Sequence, residues 1–145
     1  MTQEHPVTIL TEEECWARLR AEEFGRMAYH LADEVHITPV NFAVDDRRRL
    51  VFRTAEGSKL LGVVMNADVA FEVDDVDEEN ERAWSILARG KAQILEGAEA
   101  RDADNLRLRP WIATPKHNVV AIEVTELSGR EFVLARPWEH YLPQN

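Results

Sequence analysis

From Gly25 to Leu134, apolar side chains recur at every second position in one short run after another, largely without crossover helices between the runs. Alternation with a period of two is the mark of a strand with one buried face. Strands joined without crossovers pair antiparallel. Gly25 to Leu31 is one such run. Glu34 to Val44 is a second, with Val40, Phe42 and Val44 on one face. Asp45-Asp46-Arg47-Arg48 reads as a turn, and Leu50 to Thr54 resumes the sheet. Val69, Phe71 and Val73 mark a further strand, followed by an acidic loop. Trp84 to Leu95 is a long strand interrupted by Gly90. Val120, Ile122 and Val124 form the next, and Ser128-Gly129 reads as a turn that sends Glu131 to Leu134 back to pair.

Helices are few. Thr11 to Glu22 carries a capping-box spacing at Thr11 and Glu14, and Trp16 and Leu19 share one face. Ser58 to Asn66 and Ala98 to Leu108 have helical spacing. Six or seven strands with two or three short helices make a mainly β chain. A closed or split antiparallel barrel is the economical fold, because closure hides sheet edges.

The 145 residues fit one domain, with a core over about 10–136 and short polar tails. The net charge of −10 disfavours a nucleic-acid binder or a partner at an anionic membrane surface. The longest uncharged apolar stretch, Leu60 to Met65, is far too short to span a bilayer. Met1 to Val7 lack a basic-then-apolar pattern, and the single Cys15 fits a reducing compartment, so a cytoplasmic location is expected.

Chemistry concentrates at Phe52 to Leu60. A strand ends at Arg53-Thr54, a loop with Gly57 follows, and Ser58-Lys59 open a helix. A forked guanidinium, an ammonium, two hydroxyls and the free N–H groups of a helix start all suit a phosphate or similar anion. With a screening length of roughly 8 Å, a local cluster outweighs distant carboxylates. Spacing alone equally allows Ser58 to cap the helix while Arg53 and Lys59 lie on the surface. Pro39-Val40-Asn41 form a second cluster, since a proline in a strand marks an edge or a place where the ladder opens. Trp84-Ser85 are a third, where the indole either covers a flat ring or serves the core or an interface. The five histidines show no paired zinc spacing, the acidic loop lacks the glycine of a calcium loop, and no catalytic acid, base or nucleophile motif stands out.

In these stretches the sequence resembles the pyridoxamine 5′-phosphate oxidase-like flavoproteins of the FMN-binding split-barrel type, and its small actinobacterial branch in particular. Gly25-Arg26-Met27-Ala28, Pro39-Val40-Asn41-Phe42, Phe52-Arg53-Thr54, Gly57-Ser58-Lys59-Leu60, Val69 to Asp74, Trp84-Ser85, Gly90-Lys91-Ala92, Pro110-Trp111 and Gly129-Arg130 carry the resemblance, in family order. It implies a homodimer with FMN in grooves between two barrels. Arg53, Thr54, Ser58 and Lys59 would hold the phosphate, with Gly57 allowing close approach. Pro39, Val40 and Asn41 would border the ring system, and Trp84 and Ser85 would approach its edge from the partner subunit. The expected activity is FMN-dependent oxidoreduction of a small organic molecule. A true vitamin B6 oxidase is not expected, because the substrate-binding tail is not recognisable. A deazaflavin-dependent reductase, or a flavin or haem carrier or sensor, is the alternative.

Overall fold

The computed structural model describes residues 6–54, 68–106 and 118–135. Among them, eight strands form one sheet, antiparallel at every pairing: β1 (Val7–Ile9), β2 (Phe24–Leu31), β3 (Glu34–Asn41), β4 (Ala43–Val44), β5 (Arg49–Thr54), β6 (Asp68–Asp77), β7 (Arg82–Leu95) and β8 (Asn118–Val133). The order across the sheet is β3-β2-β6-β7-β8-β5-β4, with β1 added beside β8. The sheet curls until β3 approaches β5. This is the mainly β antiparallel barrel that the alternation predicts.

The inner face holds the main core. Met27, Val40, Phe42, Leu50, Phe52, Phe71, Val73, Ile86, Val120 and Ile122 are all buried there. Helix α1 (Glu12–Ala21) adds Cys15, Trp16 and Leu19 to it. Its start is the expected capping box: Thr11 N–H donates to Glu14 Oε1 at 3.0 Å, and Glu14 N–H donates to Thr11 Oγ1 at 3.2 Å. A smaller apolar cluster lies on the outer face. Val51, Leu95, Val119 and Ala121 pack there under Ala103. Ala103 opens a 3₁₀ turn (Ala103–Asn105) that follows α2 (Gly97–Asp102). The helix expected over Ala98–Leu108 is thus an α turn and a 3₁₀ turn ending before Leu106. The helix expected over Ser58–Asn66 lies outside the described residues.

The hairpin between β2 and β3 turns on Ala32 and Asp33, both at positive φ, which matches a two-residue loop of mirror-image type. The acidic loop is shorter than expected, since β6 continues to Asp77.

One expectation fails. Ser128-Gly129 is no turn: β8 runs straight through it, and Ser128 and Gly129 pair with Leu87 and Ile86. The glycine answers to packing instead. A Cβ on Gly129 would stand 2.6 Å from Cys15 Sγ and 3.0 Å from Leu10 Cδ1, so its absence lets α1 settle on the sheet. Gly90 likewise marks a close approach. A Cβ there would lie 2.0 Å from the Glu123 carbonyl oxygen, at the point where the β7–β8 register shifts between Arg89 and Gly90.

Candidate functional site

The chain changes partner at Asn41. Up to that residue β3 pairs with β2, Asn41 lying opposite Phe24 and Pro39 opposite Arg26. Phe42 N–H still donates to the Glu23 carbonyl at 3.0 Å, and Asn41 Nδ2 donates to the same oxygen at 3.4 Å. Two residues later β4 pairs with β5, Ala43 opposite Val51 and Val44 opposite Leu50. Continued by two residues, that register brings Asn41 level with Arg53. The ladder therefore opens where Pro39-Val40-Asn41 meet the end of β5. The proline sits on a strand at the end of the sheet order, as strand chemistry demands.

Strand alternation divides the β5 residues. Arg53 shares the outer face with Val51, while Thr54 follows Phe52 inward and is buried. In the register, Arg53 lies opposite Val119 and Thr54 opposite Asn118. The Arg53 guanidinium reaches the 3₁₀ turn and pairs with Asp104. That turn is held in place by a cluster of ions: Arg49 binds Asp45 at 2.8 Å and lies 3.6 Å from Glu99, and Arg47 binds Glu99 at 2.9 Å. Arg49 is nearly buried, and although burial works against its charge, the hydrogen bonds and charges of Asp45 and Glu99 hold its pKa above the ordinary value. Gly57, Ser58 and Lys59 fall outside the described residues.

Sequence reasoning overlooked Asn118. Its Nδ2 exposes less than 1 Å² and has no hydrogen-bond partner among the described residues. The signal was faint, a polar residue opening an apolar run directly across from Thr54.

Trp84 and Ser85 lie elsewhere in the same chain. Trp84 pairs with Asp75 and Glu131, packs half-buried against the main core, and has the Arg18 guanidinium 5.6 Å above its ring. Along one route Arg53 leads through Val119 to Leu95, eleven residues from Trp84 on β7. Around the closed side Trp84 leads through Asp75 and Glu23 to Asn41, level with Arg53, so several strands separate the two within one chain. Ser85 is linked to Pro39 along the outer face only through intermediate residues. It pairs with Asp74, Asp74 binds Arg26 at 2.8 Å, and Arg26 lies opposite Pro39.

That bridge is a charged cluster in its own right. Arg26 Nη2 lies 2.7 Å from Glu72 Oε2, and Nε donates to the same oxygen at 2.8 Å. Burial opposes the Arg26 charge, but Glu72 and Asp74 together hold its pKa above the ordinary value. Burial pushes the Glu72 carboxyl up, the hydrogen bond with Asp74 pushes it further, and Arg26 pulls it only part of the way back. Glu22 is raised too, first by burial, then by Asp75, Asp74 and Glu23. Sequence inspection placed Arg26 and Glu72 to Asp74 in the family pattern and read Glu72 to Glu81 as a solvated acidic loop, whereas Glu72 and Asp74 lie on β6. Their contact needs the β2–β6 register, in which Arg26 faces Glu72.

Among the described residues no group of His, Cys, Asp and Glu could hold a metal ion, and no helix is long and apolar enough to cross a membrane.

The pattern of the pyridoxamine 5′-phosphate oxidase family matches residues 11–131. The chain belongs to that family. Within it, a Corynebacterium glutamicum protein provisionally named a pyridoxamine 5′-phosphate oxidase superposes with a TM-score of 0.80 and 40% identity, over 93% of this chain and 100% of its own. A conserved Corynebacterium diphtheriae protein of unknown function has a TM-score of 0.75 and 44% identity, over 89% and 100%. The FAD binding protein of Mycobacterium smegmatis has a TM-score of 0.75 and 36% identity, over 86% and 98%. These likenesses establish the split-barrel form of the pyridoxamine 5′-phosphate oxidase family for the curled sheet.

Proposed function

We propose that this family member is a flavin-dependent oxidoreductase acting on a small organic molecule, with the flavin nucleotide held where β3 leaves β2 for β5. The observation that carries the reading is the opened ladder at Asn41, level with Arg53. It brings the Arg53 guanidinium on the outer face, the Thr54 hydroxyl on the inner face and the backbone of Pro39-Val40-Asn41 to one end of β5. The Asn118 Nδ2, across from Thr54 and without a hydrogen-bond partner among the described residues, supports an acceptor-rich ligand.

In this reading Arg53 and Thr54 grip the phosphate, with Ser58 and Lys59 close behind in sequence. Pro39, Val40 and Asn41 border the ring, and the buried Val40 side chain backs it from the core. A bound flavin supplies two-electron and one-electron transfer. The protein binds, orients and shields, and a donor or cation near the reducible ring would raise its potential.

A homodimer completes the site. Val35 and Ile37 on β3 are 66% and 70% exposed, an apolar edge that suits a second copy. A partner subunit would also supply Trp84 and Ser85, which several strands separate from Arg53 within one chain. The buried single cysteine is in keeping with a cytoplasmic protein.

FMN is the ligand expected from the family reading. FAD carries the same ring and phosphate, and the 36% identical Mycobacterium smegmatis relative is an FAD binding protein, so FAD is the second reading. Freshly purified protein should be yellow. Denaturation should release a ligand whose mass identifies FMN or FAD. Colourless protein that takes up neither on addition would overturn the proposal.

A further inference from the structure

We infer that Asn118 is a ligand-binding residue of the proposed flavin site, donating its Nδ2–H to an oxygen of the bound nucleotide. The inference rests on the flavin reading and goes beyond it, because it adds a neutral donor from the opposite strand and from the inner face of the barrel.

Two observations and one physical argument converge. First, Asn118 lies directly across from Thr54, the buried hydroxyl-bearing residue at the end of β5. Strand alternation puts Asn118 on the same inner face as Val120 and Ile122, and Thr54 on the same inner face as Phe52. The two polar side chains therefore cap the apolar interior at one end, where Arg53 guards the outer face. Second, the Nδ2 atom is closed off from solvent and has no partner among the described residues. Third, an unpartnered buried amide costs stability, and an aliphatic residue of similar size would cost less. A donor left over in this way at the end of β5 is accounted for when its partner arrives with the ligand.

The test compares binding with ligand-free stability. The full-length protein, freed of any bound flavin, is titrated with FMN and with FAD by fluorescence, alongside Asn118→Leu, Asn118→Asp and Arg53→Ala. Melting temperatures are taken without flavin. In the wild type, the side-chain NH₂ signals that vanish in the Asn118→Leu spectrum are followed by ¹H–¹⁵N NMR as FMN is added. The inference expects Asn118→Leu to raise the Kd about tenfold with an unchanged or higher melting temperature. Asn118→Asp, which replaces the donor by a negative charge, should raise it further. The NH₂ signals should move on addition of FMN. If Arg53→Ala weakens binding while Asn118→Leu does not, Asn118 is structural and the inference falls alone. Unmoved NH₂ signals in a protein that binds FMN would overturn it equally. If the wild type takes up neither nucleotide, the flavin reading falls and takes the inference with it.

Discussion

Arg53, the penultimate residue of β5, is ion-paired with Asp104 on the 3₁₀ turn, 51 positions along the chain. The Asp104 carboxylate is 69% exposed and the Arg53 side chain 34%, so the pair is open to exchange. In the proposed site a flavin phosphate would have to take the guanidinium from this carboxylate. Asp104→Asn is therefore expected to tighten flavin binding by about two- to fivefold, the range of an exposed ion pair. Arg53→Ala should weaken it about tenfold to a hundredfold. Fluorescence titration at fixed salt checks both, and a weaker Asp104→Asn complex would show that Asp104 orients Arg53 rather than competing for it.

The Arg26–Glu72–Asp74 cluster gives a pH dependence with a defined sign. The folded state holds the proton of Glu72 more tightly than the unfolded chain, whose carboxyl titrates near 4.5. The folded protein thus binds more protons, and stability falls as pH rises from about there through the raised value. Glu22 works in the same direction. Glu72→Gln mimics the protonated form and keeps a donor for Asp74. Its melting temperature should gain on the wild type as pH is raised from about 4.5 to neutrality. A variant that loses ground over that interval would contradict the assignment.

Gly90 has no room for a side chain, with the Glu123 carbonyl oxygen 2.0 Å from where a Cβ would sit. Gly90→Ala must push β7 and β8 apart at their register shift. A loss of about 3 kcal/mol is expected, at the high end for overpacking, because the obstacle is backbone. Urea unfolding measures it; a loss below about 1 kcal/mol would mean that the bulge yields easily.

The proposed dimer has a direct test at β3. Ile37→Asp places a charge on the exposed apolar edge without touching the core. Sedimentation should show a dimer for the wild type and a monomer for the variant, and the monomer should hold flavin poorly, because Trp84 and Ser85 would no longer be supplied. A monomeric wild type that retains its flavin would rule out a shared site.

Much of this was legible from residue order. The alternation fixed most strands to within two or three residues, and Thr11 with Glu14 marked the start of α1, because both signals are local. Pro39 correctly flagged an edge. What escaped was non-local. Gly129 read as a turn because its neighbour is serine, whereas its cause is Cys15, 114 positions away. Asn118 and Asp104 became interesting only once β8 and the 3₁₀ turn were laid against β5. Trp84 and Ser85 sit in a recognisable pattern, but intervening strands separate them from Arg53 within one chain.

Strand β8 carries a consequence for how the protein is made. It pairs with β7 along nearly its whole length, with β5 over Asn118 to Glu123, and with β1 over Arg130 to Phe132. During synthesis from the N-terminus, β1, β5 and β7 emerge with open, apolar edges before their common neighbour exists. The barrel must therefore assemble after residue 133 has cleared the ribosome, in a slow step of long-range closure, and a nascent chain stalled before residue 118 would present those edges to chaperones or to other chains.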